Sequence, residues 1–520
     1  MNDLFRIHPE DTVAVALRPL PAGETAQGNG FSVRAEESIP QGHKIALCRV
    51  EKGGEVIKYG WPIGRAKETI APGHWVHTHN MESQLEGLED YRYEPRWKDL
   101  KQEEPAFFSG YRRPDGKTGV RNELWIVPMV GCVNGLARQL ERRAAARLPE
   151  GVDGVVAFQH SCGCSQLGDD LACTQKFLRG LLLHPNAGGV LALCLGCENN
   201  RPEDMQALLG GYDRERIAFL VCQDCEDELE EGLRILDRLG RYAASFRREP
   251  CPVSSLTVGL KCGGSDGLSG ITANPLAGSF SDWLLARGGS AVLTEVPEMF
   301  GAERLLMNRC RTEQTFASTV KLINGFRSYF LRYGQPIDEN PSPGNREGGI
   351  TTLAEKSLGC VQKSGTAPVE DVLLYGEQVR TRGLSLLQGP GNDLTAACAL
   401  ASAGAQILLF TTGRGTPLGC PVPTLKLSSN SPLASRKKNW IDFDAGRLLT
   451  GASREALTQE LAQLVLAVAS GTRRAKAEAL DRSELTIFRD GVTLWRGFRR
   501  QKSGRPANWR ARFLCPVPRI

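Results

Sequence analysis

The chain has 520 residues, of which 41% are hydrophobic and 24% charged, an ordinary globular composition for roughly two to four domains. No apolar run approaches the ~20 residues of a membrane span, and Met1-Asn2-Asp3-Leu4-Phe5-Arg6 lacks the apolar core of a signal peptide. Residues 495–520 hold eight basic and no acidic residues, so the net charge of +5 becomes −3 without them; a slightly acidic body excludes the electrostatic footprint of a nucleic-acid binder.

Residues 1–95 read as a small all-β unit. Short apolar runs at 13–17, 31–33, 44–47 and 56–57 are punctuated by Gly, Pro and Asn, the mark of short strands joined by tight turns. The stretch Gly73-His74-Trp75-Val76-His77-Thr78-His79-Asn80 closes its last strand. Residues 82–106 are rich in charge and aromatics and read as a linker, of which 96–106 opens the second region. From about residue 107 the chain is α/β: a strand over 122–130, a helix through 136–141, a strand over 217–221 and an amphipathic helix over 226–239. Strands alternating with helices predict parallel βαβ units. A Pro-containing break at 248–252 ends this second region, 96–250, and the pattern restarts over 251–494. The basic tail, 495–520, reads as a disordered extension.

One pattern recurs through the α/β part. A buried strand breaks off into a loop of Gly, Asn, Ser, His and Cys, with loops at 160–166, 196–200, 261–266, 295–298 and 411–417. Ligands of open α/β sheets bind beyond the carboxyl ends of the strands. The chain therefore reads as an enzyme with its site built from these loops.

His77 and His79 are two apart at the end of a strand. Alternate strand residues share a face, so both imidazoles can reach one ion or act in proton transfer. Cys162-x-Cys164, Cys194-x2-Cys197 and Cys222-x2-Cys225 have spacings suited to zinc or iron–sulfur ligands, with packing as small hydrophobes as the alternative. With 16 cysteines in a large chain, reduced cytosolic thiols fit better than a disulfide framework. The loop Gly263-Gly264-Ser265-Asp266-Gly267-Leu268-Ser269-Gly270 exposes backbone N–H groups suited to a small carboxylate. It is neither a P-loop nor a dinucleotide fingerprint. Arg414 adds a guanidinium, the natural fork for a carboxylate, and Glu295 and Glu298 can serve as base, acid or metal ligand. No Ser-His-Asp order or nucleophile elbow occurs. The inventory favours lyase or isomerase chemistry on a small hydroxy acid.

These residues resemble a known family, the altronate and galactarate dehydratases. The likeness rests on Gly-Val-Arg-Asn-Glu-Leu-Trp-Ile (119–126), Gly-Cys-Val-Asn-Gly (131–135), Gly-Cys-Ser-Gln-Leu-Gly-Asp-Asp (163–170), Leu-Gly-Cys-Glu-Asn-Asn (195–200) and Cys-Gly-Gly-Ser-Asp-Gly-Leu-Ser-Gly-Ile-Thr-Ala-Asn-Pro (262–275). Leu-Thr-Glu-Val-Pro-Glu-Met-Phe-Gly-Ala-Glu (293–303), Asn-Pro-Ser-Pro-Gly-Asn (340–345), Gly-Gly-Ile-Thr-Thr-Leu (348–353), Lys-Ser-Leu-Gly-Cys (356–360) and Trp-Ile-Asp-Phe-Asp-Ala-Gly (440–446) extend it. Together they cover about residues 5–494, and the likeness is to the altronate branch rather than the galactarate branch. Cys162, Cys194 and Cys225 lie outside the family's motifs, and so does the tail from Trp495.

The resemblance implies an N-terminal SAF-type β-clip domain followed by two α/β regions with mainly parallel sheets. It implies a cytoplasmic hydro-lyase of hexuronate catabolism that converts D-altronate to 2-dehydro-3-deoxy-D-gluconate with Fe2+, Mn2+ being the alternative. His77, His79 and Asn80 match the family's HxHN pattern; His160, Cys164, Gln166, Cys197, Glu198, Cys262, Asp266, Glu295, Glu298, Cys360 and Arg414 also fall on its motifs. On this reading His77, His79, His160 and Glu298 are the expected catalytic groups. Asn80, Gln166, Gly264, Ser265, Asp266 and Arg414 are expected to bind substrate, and His77, His79, Cys164 and Cys197 to hold metal. The expected partner is a small sugar acid, acted on by a homo-oligomer without nucleic acid or membrane. Other sugar-acid dehydration, sulfo-lyase chemistry and sugar-acid binding without turnover are the competing readings.

Overall fold

The computed structural model describes residues 2–489; the basic tail lies outside them. The N-terminal unit is all-β. Four short antiparallel strands, Leu4–Phe5, Val13–Ala16, Lys44–Ala46 and Trp75–Val76, pair in that order. A second sheet joins Glu55–Lys58, Trp61–Ala66 and Met81–Glu82, and a hairpin joins Thr25–Gly28 to Phe31–Arg34. The strand at the HxHN motif ends at Val76. Residues 77–80 form a turn, closed by Asn80 N–H donating to His77 O at 3.1 Å. The alternation that would put His77 and His79 on one face is therefore absent: His77 is buried and His79 exposed.

The expected linker is an ordered strap along the body. Tyr91 Oη donates to Glu303 at 2.7 Å, Arg96 N–H to Asn308 O at 2.7 Å and Glu103 N–H to Ala286 O at 3.0 Å. Phe107–Arg112 then pairs antiparallel with Glu249–Pro252. The Pro-containing break is thus an edge strand, a place where a missing N–H is tolerated.

Two parallel sheets follow. The smaller contains β1 (Glu123–Pro128), β2 (Gly154–Ala157), β3 (Ala187–Cys194) and β4 (Ile217–Val221), in the order β2-β1-β3-β4. The larger contains β5 (Thr257–Cys262), β6 (Ser290–Leu293), β7 (Val369–Leu373), β8 (Gly383–Leu387), β9 (Ile407–Thr412), β10 (Thr424–Ser428) and β11 (Phe443–Asp444), in the order β7-β8-β6-β5-β9-β10-β11. Every neighbouring pair in both sheets is parallel. Their continuous apolar sequences follow from burial on both faces: all eight residues of β3 and all six of β9 are buried.

The two sheets share one apolar core. Trp125, Phe158, Phe177 and Val190 from the first region pack in one cluster with Val292, Leu387, Leu400 and Leu408 from the second. The helices Asp169–Leu182 and Asp393–Ser402 meet inside it, where Ser402 Oγ donates to Phe177 O at 2.9 Å. No helix of the described residues is long and apolar enough to cross a membrane, and no disulfide joins their cysteines.

Candidate active site

In the larger sheet the strand order reverses at β5, which lies between β6 and β9. A switch point of this kind opens a crevice at the carboxyl edge. The loops after β5 and β9 meet there: Gly413 N–H and Arg414 N–H both donate to Gly264 O at 3.0 Å. Gly264 holds φ +62°, a conformation that L side chains rarely adopt. Arg414 extends along the rim, half exposed, with Nη1 donating to Gly344 O at 3.1 Å and Nη2 3.2 Å from the Glu347 carboxylate.

Beneath the rim lies a buried cluster of thiols, carboxylates and lysines. Cys262 ends β5, Glu295 and Glu298 follow β6, and Cys360 ends the helix Leu353–Cys360. Glu298 Oε2 accepts from Cys262 Sγ and from Cys360 Sγ, each at 3.2 Å, and the two sulfurs are 3.3 Å apart. Lys356 Nζ is 2.8 Å from Glu298 Oε1, and Lys363 Nζ is 2.8 Å from Cys262 Sγ. Lys261 bridges Glu295 and Asp393. Burial disfavours the Glu298 charge, but the ammoniums of Lys356, Lys261 and Lys363 outweigh it and bring its pKa down to about 2. Burial likewise opposes the Lys363 charge, yet Cys262, Cys360 and Glu295 hold its pKa well above the usual ammonium value. The hydrogen bond with Cys262, and then burial, push the Cys360 thiol up.

The β unit docks on this cluster. Glu355 accepts from Lys44 at 2.8 Å and Lys58 at 2.7 Å, all three buried. His77 Nδ1 lies 2.8 Å from Thr351 Oγ1. Burial, Lys44 and His43 lower the His77 pKa to about 4, so its imidazole is neutral near pH 7. The Trp75 ring stacks on His77 and tilts against His79, with centroids 5.5 and 5.2 Å away. The approach is close: a Cβ on Gly267 would lie 1.9 Å from Gly42 O.

Several expected site residues are already engaged by the fold. His160 Nε2 donates to Pro128 O at 2.7 Å and its Nδ1 accepts from Cys162 N–H at 3.1 Å, which leaves no ring nitrogen for proton transfer. Gln166 is fully buried; its Oε1 accepts from Gly163 N–H and its Nε2 donates to Asp170 and Thr174. Asn80 spends Oδ1 on His77 N–H and Nδ2 on Trp75 O. The Asp266 carboxylate accepts from Ser269 Oγ, Ser429 Oγ and Asn430 Nδ2. Ser265 Oγ, by contrast, is buried with no partner, and Asn345 Nδ2 donates to Ser265 O at 2.8 Å.

His77 and His79 belong to the β unit, and Cys164 and Cys197 lie on loops of the smaller sheet; among the described residues these four do not form a group whose ligand atoms lie within 4.8 Å of one another. Among the described residues, Cys262, Glu298 and Cys360 are the group of three or more His, Cys, Asp or Glu whose ligand atoms lie within 4.8 Å of one another. Two sulfurs and a carboxylate oxygen suit a borderline transition ion such as Fe2+. Ser357 Oγ, one helical turn before Cys360, is buried without a partner. The residues thus fit a divalent metal there.

Lys44, Lys58, Lys261, Lys356 and Lys363 are not among the expected site residues, although Lys261 opens an expected site loop and Lys356 a family motif. The available signal was a charge inside an apolar run, as in Leu260-Lys261-Cys262, because a buried charge requires a partner.

The comparisons agree along the chain. Family models match residues 2–84 (altronate/galactarate dehydratase SAF domain), 110–244 (D-galactarate dehydratase/altronate hydrolase, second domain) and 253–493 (D-galactarate/altronate dehydratase, C-terminal). The chain is 51% identical to an altronate dehydratase of Escherichia coli (strain K12), covering 94% of this chain and 99% of that protein. It is 49% identical to an altronate dehydratase of Bacillus subtilis (strain 168), covering 95% of this chain and all of that protein. A galactarate dehydratase of Escherichia coli is 33% identical over 93% of this chain and 96% of its own length. The chain belongs to the altronate/galactarate dehydratase family and is a sugar-acid dehydratase.

Proposed function

We propose that the chain dehydrates D-altronate to 2-dehydro-3-deoxy-D-gluconate in the cytoplasm, at the switch-point crevice of the larger sheet. The observation that carries the substrate is the likeness itself: about half of all positions match two altronate dehydratases end to end, against a third for the galactarate enzyme.

The C2 proton of an aldonate is weakly acidic because the adjacent carboxylate is already negative. Its removal builds a second charge on that group. Arg414 and the backbone of the Gly264 loop hold the carboxylate and share this charge. His77, neutral at physiological pH, takes the C2 proton, and His79 across the Trp75 ring gives a proton to the departing C3 hydroxyl. The enol then tautomerises to the 2-keto acid. Cys262, Glu298 and Cys360 are the residues that would hold a divalent metal, Fe2+ or in its place Mn2+, and a bound metal supplies Lewis acidity toward the developing charge. Lys356 and Lys363 hold Glu298 and Cys262 in place.

The test is anaerobic incubation of metal-free protein with D-altronate, with and without Fe2+, following the 2-keto-3-deoxy acid. Product only with metal is expected. Product from verified metal-free protein would remove the Lewis-acid role and keep the substrate. No product from folded protein under either condition would remove D-altronate as the substrate and direct attention to galactarate and sulfonated hydroxy acids.

A further inference from the structure

The carboxyl edge of the smaller sheet carries a second constellation. Its order β2-β1-β3-β4 reverses at β1, so the loops after β1 and β3 flank another switch point. Pro128 of β1 lies opposite Leu193 of β3, and Cys132 and Cys197 each stand four residues beyond that pair. The loop after β2 folds back between these two loops. Gly131 N–H donates to Cys162 O at 2.9 Å, Asn200 N–H to Gly163 O at 3.0 Å and Ser165 N–H to Asn199 Oδ1 at 2.7 Å. Gly163 permits this: at φ +103°, a Cβ there would lie 2.2 Å from Met129 O. Cys164 therefore has the Cys132 loop on one side and the Cys197 loop on the other.

Cys132, Cys164 and Cys197 are exposed, one from each loop. Cys162 and Cys194, which complete the paired spacings in the sequence, are buried in the apolar core. The structure thus splits the Cys162–Cys164 and Cys194–Cys197 pairs, leaving Cys132, Cys164 and Cys197 as single exposed thiols on three neighbouring loops. An independent observation points to a ligand. Asn200 Oδ1, on a fully buried side chain, and Asn134 Oδ1 have no donor, although their amide nitrogens donate to Met129 O and His160 O. An orphaned buried acceptor calls for a donor, which a hydroxyl of a bound small molecule supplies and thiolate or sulfide sulfur does not. The three sulfurs also do not form a set within 4.8 Å of one another. A single tetrahedral ion draws its thiolates to about 4 Å apart, whereas a four-iron cluster takes one thiolate per iron and spaces them more widely.

We propose that Cys132, Cys164 and Cys197 bind an iron–sulfur cluster of the four-iron type, leaving one iron without a protein thiolate. That iron is open to a small oxygen ligand, and a hydroxy acid is the matching class. The site is separate from Cys262, Glu298 and Cys360 and does not depend on the dehydration centre assigned there.

The test is anaerobic reconstitution of the full-length protein with Fe2+ and inorganic sulfide. Iron, acid-labile sulfide and the visible thiolate-to-iron absorption are then measured. About four irons and four sulfides per chain are expected in the cluster. Cys132→Ser, Cys164→Ser and Cys197→Ser should each lose at least half of the sulfide and the absorption, and the triple variant all of it. Cys162→Ser, Cys194→Ser and Cys262→Ser should retain both. Circular dichroism checks that the variants are folded. Iron bound without sulfide, or a cluster that survives in the triple variant, would overturn the proposal. The Cys262→Ser arm separates its failure from that of the dehydration site.

Discussion

The Lys58 ammonium on the N-terminal β unit donates at 2.7 Å to the Glu355 carboxylate on the helix that ends in Cys360. Lys44 reaches the other oxygen of the same carboxylate at 2.8 Å. Burial alone would raise the Glu355 pKa; Lys44 and Lys58 outweigh it and lower it to about 2. Removing one partner of a buried ion pair strands the other charge, at a cost of about 3–5 kcal/mol. Glu355→Gln is therefore expected to lower stability by that order in urea unfolding. It should also cost activity, because it loosens the helix that carries Lys356 and Cys360. An unchanged unfolding midpoint would show that the dock is held by other contacts.

Acid lability has a specific source in His184. Its ring is fully buried, stacked on Trp125 and bonded to Ala405 O, and burial brings its pKa down to about 3. In the unfolded chain a histidine titrates near ~6.5. Between these values protons bind the unfolded state and not the native one. Stability is thus retained above the unfolded value and falls by up to about 1.4 kcal/mol per pH unit below it. His184→Gln should flatten the pH dependence of unfolding between pH ~6.5 and ~4 by about that slope. Equal slopes in the two proteins would refute the assignment.

Arg414 is on the rim, where its ion pair with Glu347 is solvent-exposed and readily exchanged for a substrate carboxylate. A hydrogen bond to a charged group is worth about 1.5–3 kcal/mol. Arg414→Ala is expected to raise KM by roughly ten- to a hundredfold with little change in unfolding. A drop in kcat at constant KM would place the residue elsewhere in the reaction.

Asp266 behaves differently because its carboxylate fastens the Gly264 loop to Ser429 and Asn430. Asp266→Ala should cost stability on the order of 3 kcal/mol, visible in the melting temperature. A large KM effect with full stability would return Asp266 to direct substrate contact.

His160 offers a contrast with His77. With both ring nitrogens on the backbone, His160→Asn should lower stability and leave the shape of the pH–rate profile unaltered. His77→Ala should remove turnover in a folded protein. A shifted acidic limb in His160→Asn would put a proton-transfer role back on that ring.

Periodicity in the sequence was enough to find the parallel sheets, since an apolar run such as Val190-Leu191-Ala192-Leu193 ending at a Gly-Cys loop has few other readings. It was also enough to locate the crevice, since Gly264 and Arg414 each follow a strand. The HxHN strand was misread because a two-residue strand followed by a turn has no alternation to display. His160, Gln166 and Asn80 lie on family motifs, but a motif does not distinguish a residue that holds a loop from one that touches substrate. The lysines of the buried cluster come from two segments about a hundred residues apart, Lys261 on one and Lys356 and Lys363 on the other, and their pairing with Glu295, Glu298 and Cys262 depends on the fold. Cys132 has no cysteine close by in sequence, so only the register of β1 against β3 relates it to Cys197.

The apolar core common to both parallel sheets has an evolutionary consequence. Phe177 and Leu400 lie in segments that different family models describe, yet both belong to one buried cluster. The two α/β regions are therefore inherited as a unit. A recombinant joining the second region of one family member to the C-terminal region of a distant one should lose stability at this shared core, where the helices Asp169–Leu182 and Asp393–Ser402 meet, before it loses any catalytic residue.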